Sequence, residues 1–261
     1  MGVIGILTCE VLEQEFAYLL ANDKQIGRVT VLKDTQSTEM IQALSSNDVD
    51  YLESVIYPEE FTPLPGKKLE VLVRVLELAL HSRKQTLQDG LIQAANEMGP
   101  HVDALLLGYG LCGNALQKPD ELLAGAGVPI IIPWDGDHPV DDCVGLIIGG
   151  RNNYYGEQCK TAGTFFMIPG WTYHWKRIFE AEFGNMDVTM ARRLFKNYER
   201  SLLVNSPVMS EHVMKENISE FTEIFGFRVE SRTGTLKILE DAWQSAKEVV
   251  GNKKEVNNPD P

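Results

Sequence analysis

The chain alternates short, mostly apolar runs with longer amphipathic stretches. Val3–Thr8 is almost entirely apolar, and in Glu10–Ala21 the residues Val11, Leu12, Phe16, Leu19 and Leu20 recur at helical spacing, which predicts a strand feeding a helix. Arg28–Lys33 predicts a second strand, with Ser37 or Thr38 as the cap of a helix over Glu39–Leu44. Between Tyr51 and Lys68 the pattern is broken by Pro58, Pro63, Pro65 and Gly66, so this stretch is expected to be a loop crossing one edge of the site. Leu69–Leu80 and Leu87–Met98 read as helices. Further on, Val102–Leu107, Pro129–Ile132, Thr164–Ile168, Ser201–Asn205 and Phe227–Glu230 read as strands, and Asp142–Ile148, Glu211–Phe225 and Thr235–Val249 as helices.

Apolar strand followed by amphipathic helix, repeated along a chain, defines the α/β class. The expected architecture is a mostly parallel sheet with helices on both faces and its site at the strand carboxyl ends. Residues 1–250 would form a single α/β domain, or two α/β lobes with a boundary near 99–101; the polar, Pro-containing 251–261 would be a flexible tail. No fixed-period repeat is visible.

Charge and cysteine usage narrow the classes. Asp plus Glu number 37 against 24 Lys plus Arg, a formal charge of −13, and a surface of that sign repels nucleic acid and anionic lipid. The N-terminal stretch lacks the basic flank and apolar length of a signal peptide, and nothing later is apolar for long enough to span a bilayer. Four cysteines without a secretory signal suit the reducing cytoplasm, where thiols serve metal binding or catalysis more often than structural disulfides.

Three of those cysteines share an address. Cys9 follows the first strand, Cys112 sits in the glycine-rich turn after Val102–Leu107, and Cys143 enters a helix after Pro129–Ile132. All three thus fall on the edge where a parallel sheet builds its site, and a helix N-terminus favours the thiolate form. Taken singly, each reads equally well as a small buried hydrophobe; a shared site accounts for all three together. Cys159 reads as incidental. Gly108, Gly110 and Gly113 permit positive φ and close approach of a ligand, so Gly108, Tyr109, Gly110, Gly113 and Asn114 are candidate cofactor contacts. The same glycines match GxGxxG formally, but the nearby Pro119 and the lack of an acidic residue about 20 positions on argue against a dinucleotide. No Walker A, GxSxG or HExxH motif occurs.

In Asp135–Cys143, either Asp141 or Asp142 is expected to cap the following helix. His138 is the first candidate for a general acid or base, with Asp142 beside it, and His174 is the runner-up. The cluster Trp171, Tyr173, His174, Trp175 follows a strand; it either walls a ligand pocket, with Trp171 in contact, or packs as core against the next helix.

The ordered set Ile6-Leu7-Thr8-Cys9-Glu10-Val11-Leu12, Gly108–Asn114, Asp142-Cys143 with Leu146–Gly149, Gly163–Phe166 and Pro169-Gly170-Trp171 resembles the "domain of unknown function 1638" family of anaerobic archaea and bacteria, over roughly residues 3–240. Members are often encoded beside corrinoid-dependent methyltransferases, so the resemblance implies a link to one-carbon metabolism without defining an activity. By position its motif cysteines are Cys9, Cys112 and Cys143. The family usually has His before its Asp-Cys pair; here Asp141 stands there, and His138 lies three residues earlier.

Three functions compete. The first is a metal-thiolate protein, with zinc or a [4Fe-4S] cluster on the three cysteines, as a metal-dependent methyltransferase or an iron–sulfur enzyme. The second is a non-catalytic accessory or assembly protein that docks on a corrinoid protein or methyltransferase. The third is a metal-free enzyme with Cys112 as nucleophile, activated by His138. A small-molecule substrate suits the first and third.

Overall fold

The computed structural model describes residues 2–49, 51–66, 68–78, 80–112, 115–184 and 188–257. Six strands form one sheet: β1 (Val3–Cys9), β2 (Ile26–Leu32), β3 (Leu52–Val55), β4 (Leu69–Leu76), β5 (Ala104–Gly108) and β6 (Ile130–Ile131), in the order β3-β2-β4-β1-β5-β6. A hairpin of β7 (Trp134–Asp135) and β8 (His138–Pro139) follows. The strands β9 (Thr164–Met167), β10 (Arg200–Asn205) and β11 (Arg228–Thr233) make a second sheet in the order β11-β10-β9. Every pairing in both larger sheets is parallel. The chain passes from one sheet to the other between β6 and β9; Gly99–His101 instead leads into β5 of the first sheet.

The helices are α1 (Glu13–Ala21), α2 (Thr38–Ser46), α3 (Lys84–Met98), α4 (Pro119–Leu122), α5 (Cys143–Ile148), α6 (Arg151–Lys160), α7 (Pro169–Phe183), α8 (Val188–Leu194), α9 (Glu211–Asn217), α10 (Ser219–Phe225) and α11 (Lys237–Asn257). All seven residues of β1 are buried, which requires cover on both faces of the pleat and explains why its sequence shows no alternation. One apolar core runs from β1 through β5 and α5 to Leu202 and Val204 of β10, and α11 returns from the second sheet to pack on β5 and β1. A smaller core, with Trp175, Leu203, Met214 and Phe221, lies under α7, α9 and α10.

Two expected elements are corrected. Leu69–Leu80 is not a helix: Leu69–Leu76 is β4, hydrogen-bonded between β2 and β1. Glu70 and Arg74 have helical i,i+4 spacing, but they pair across the fold, Glu70 with Arg28 of β2 and Arg74 with Glu97 of α3. The loop expected at 51–68 contains the edge strand β3 and a single helical turn at Pro58–Glu60, ahead of Pro63 and Pro65. In addition, the helix expected over Glu211–Phe225 is divided at Ile218 into α9 and α10. No described helix is long and apolar enough to cross a membrane.

Candidate functional site

The connection after β1 leads to β2 on one side of the sheet, whereas that after β5 leads to β6 on the other, although β1 and β5 are neighbours. Their carboxyl ends therefore flank a topological switch point, the crevice where open parallel sheets bind ligands. Cys9 is the last residue of β1, and Cys112 lies four residues past β5. Cys143, the first residue of α5, is drawn to them by the backbone. Leu111 N–H donates to the Val140 carbonyl and Cys112 N–H to that of Asp141, both at 2.9 Å. Gly110 is obligatory for that approach, since a Cβ there would lie 2.6 Å from the Asp142 nitrogen. Gly170 likewise lets the start of α7 rest on the Val11 carbonyl, 1.9 Å from where its Cβ would be, and brings in Trp171.

Cys9, Cys112, Cys143, Tyr109 and Trp171 line a single cavity of about 30 Å³, with Gly108 and Gly110 in its wall. Gly113 and Asn114 lie outside the described residues. Positive φ was expected of the glycines; among the described residues of this turn it belongs to Cys112, at 45°. A side chain in that region costs about 1–2 kcal/mol relative to ordinary backbone, so the turn holds the residue against a local preference.

Burial pushes the Cys9 thiol up to about 12, helped by the Glu10 and Glu13 charges, and does the same to Cys112, helped by Cys9 and Asp142. Cys143 is pushed well above the ordinary thiol value by burial, then by Asp142 and the other two cysteines. The thiols are thus close enough for each charge to oppose the next, and all three are protonated at neutral pH. Backbone N–H groups of Val11 and Gly110 oppose the effect at Cys9 and Cys112. The Tyr109 hydroxyl faces Cys9 and, though buried, makes no well-formed hydrogen bond. As the side chains stand, no group of three or more His, Cys, Asp and Glu among the described residues is set to hold a metal ion.

Asp142 caps α5, its Oδ1 accepting from Gly145 N–H at 2.7 Å. Asp141 instead takes both ends of the Arg151 guanidinium at 2.9 and 2.7 Å, which holds its carboxyl below the usual range. His138 is not brought to the thiols. It sits in the β7–β8 hairpin, with Nδ1 3.1 Å from Asp137 and Nε2 3.8 Å from Asp135, and lines neither this cavity nor the pocket beside it. His174 is buried in α7, its Nε2 3.5 Å from Glu13, where burial lowers its pKa. Beside it Glu10 takes Arg177 at 2.8 Å and the Leu78 N–H at 2.7 Å. Cys159 is exposed and apart.

Cys112, Cys143 and Trp171 also wall a second, larger pocket of about 450 Å³ that continues outward over the second sheet. Its further walls include Tyr154, Phe165, Phe195, Tyr198 and Asp142. Sequence reasoning found Trp171 and Asp142 but missed the other four. The aromatic richness of 154–198 was a readable signal; what hid it was that α6, α7 and β9 had to be placed first.

Fold and site together define a two-sheet, parallel α/β protein with a thiol-lined cavity at the switch point. The chain belongs to the family described as "Protein of unknown function (DUF1638)", which it matches over residues 75–243. Cys112 and Cys143 fall within that span, whereas Cys9 precedes it. No curated protein and no solved structure matches the chain.

Proposed function

We propose that this is a metal-thiolate protein in which Cys9, Cys112 and Cys143 jointly bind zinc or an iron–sulfur cluster, with the adjoining pocket admitting a small molecule. The reading is carried by one observation: three cysteines far apart in sequence line the same cavity at the sheet's switch point. At about 30 Å³ the cavity is small, and a single ion such as zinc fits it with less rearrangement than a [4Fe-4S] cluster. Three thiolates would leave a fourth position open, and a bound ion would supply Lewis acidity there.

The chain's own part is then clear. On metal binding the three thiols would release their protons to solvent and bind as thiolates, the Val11 and Gly110 N–H groups would support sulfurs that have become anionic, and Tyr109 would donate its otherwise unused hydroxyl toward Cys9. The thiol elevation counts against Cys112 as a free nucleophile, which needs a lowered pKa and a nearby base. The pathway we propose is the one-carbon, corrinoid-linked metabolism that the family resemblance implies.

Metal analysis and an absorption spectrum of protein purified without oxygen or a metal-affinity tag test this. About one zinc, or one cluster, per chain is expected, lost in Cys9→Ala, Cys112→Ala and Cys143→Ala and kept in Cys159→Ala. Metal-free wild type that resists reconstitution overturns the reading.

A second reading is an accessory protein docking on a corrinoid protein or methyltransferase. It is favoured by the exposed Ile56, Tyr57 and Leu64 beside the edge strand β3. In that case Tyr57→Ser would weaken sedimentation with the partner and leave metal content unchanged.

A further inference from the structure

We propose that the 450 Å³ pocket takes a small organic cation bearing a methylated ammonium group. This rests on the preceding reading only for the idea that the pocket's occupant meets the thiols. Eight aromatic side chains contribute to the lining, and its charged members are the carboxylates of Asp142 and Glu182, with no Lys, Arg or His among the described residues that form it.

That composition selects by charge. An anion would meet carboxylates and the negative faces of rings, with no cationic side chain to pair with. A neutral alkyl group would be served as well by Leu and Ile, which this wall does not use. A compact cation with an apolar skin gains from ring faces and carboxylate together.

The arrangement of the rings adds shape. Phe165 meets Trp171, Phe195 and Tyr198 at centroid distances of 5.7, 5.8 and 5.6 Å and interplanar angles of 82°, 73° and 62°. Held edge-on by these contacts, the four rings form one fixed stretch of the pocket wall. Asp142 cannot swing away, because Gly145 N–H holds its Oδ1, and it adjoins Cys143. A trimethylammonium group seated there lies on the thiol side of the pocket, since Trp171 is shared by both cavities.

The test is calorimetric titration of the full chain with choline, its neutral isostere 3,3-dimethylbutan-1-ol, and the anion 3,3-dimethylbutanoate, before and after removal of metal by a chelator. Choline is expected to bind about tenfold more tightly than the alcohol, the range open to cation–aromatic contacts, and the anion not to bind. Tyr198→Leu, at a position still 38% exposed, and Trp171→Leu, each checked for native circular dichroism, should weaken choline about fivefold or more. Equal affinity for choline and alcohol, preference for the anion, no binding at millimolar choline, or indifference to both variants would each overturn the proposal. Choline binding by a protein that never holds metal would sink the three-thiolate reading and leave this one standing; the reverse result would do the opposite.

Discussion

The Cys112 N–H donates to the carbonyl of Asp141 at 2.9 Å, so the residue with left-handed backbone after β5 is fastened two positions before Cys143. That bond turns two cysteines on separate strand–helix units into one wall. The left-handed φ at Cys112 is a cost that mutation can isolate from loss of the thiol.

Cys112→Gly and Cys112→Ala both remove the thiol, and only the glycine also relieves the left-handed φ. Glycine adopts φ near 45° without the penalty of about 1–2 kcal/mol, offset by about 0.4–1 kcal/mol of extra unfolded-state freedom. The Gly variant is therefore expected to be more stable than Cys112→Ala by about 0.5–1 kcal/mol, as read from urea midpoints. A less stable Gly variant would mean that the turn is not strained.

The cap makes a similar separation possible at Asp142. Asp142→Ala loses the bond to Gly145 N–H and should cost about 1 kcal/mol, while Asp142→Asn, itself a good cap, should cost only a few tenths. Both variants should keep their metal if Asp142 is a wall of the pocket and not a ligand. Loss of metal from Asp142→Asn would make it a ligand.

How much of this was legible in the chain follows from what each signal measures. Val3–Thr8 and Val102–Leu107 were readable as strands because a run buried on both faces is almost entirely apolar and ends at glycine or a polar turn. The three cysteines were readable as a set because strand ends share an edge in any parallel sheet. Leu69–Leu76 was not, since its two charged residues satisfy partners on β2 and α3, and helical spacing there is coincidence. His138 was misleading for a related reason: an imidazole two residues from a turn glycine can belong to the turn alone, and here the β7–β8 pairing holds it to Asp135 and Asp137. The pocket walls depended on two helices and a sheet converging, which no local window contains.

Glu157 predicts acid sensitivity. It is buried and accepts from Lys160 at 2.6 Å, Arg232 at 2.8 Å and Arg200 at 3.0 Å, and these cations hold its carboxyl down to about 2 against the cost of burial. A depressed carboxylate contributes stability that is complete above its unfolded pKa of about 4.5 and is lost as pH falls from there toward 2. Arg200 is itself buried, so Glu157→Gln should cost about 1–3 kcal/mol at pH 7. The gap between wild type and variant should close as the pH is lowered through that window. A gap independent of pH would show that packing, not charge, is what Glu157 contributes.

Glu15 predicts the opposite slope. It is fully buried in α1, both carboxylate oxygens lack hydrogen-bond partners, and burial, with Glu13 adding to it, pushes its pKa up to about 8. The folded state therefore keeps a proton that the unfolded state releases near 4.5, and stability falls as pH rises from there through about 8. Glu15→Gln preserves shape and removes the ionisation. It should come within about 1 kcal/mol of wild type near pH 5 and gain about 3 kcal/mol on it by pH 8, at about 1.4 kcal/mol per pH unit. Chemical denaturation at the two pH values decides the point: a variant no more stable than wild type at pH 8 would mean that the carboxylate finds a partner once ionised, and that the alkaline loss belongs to another group.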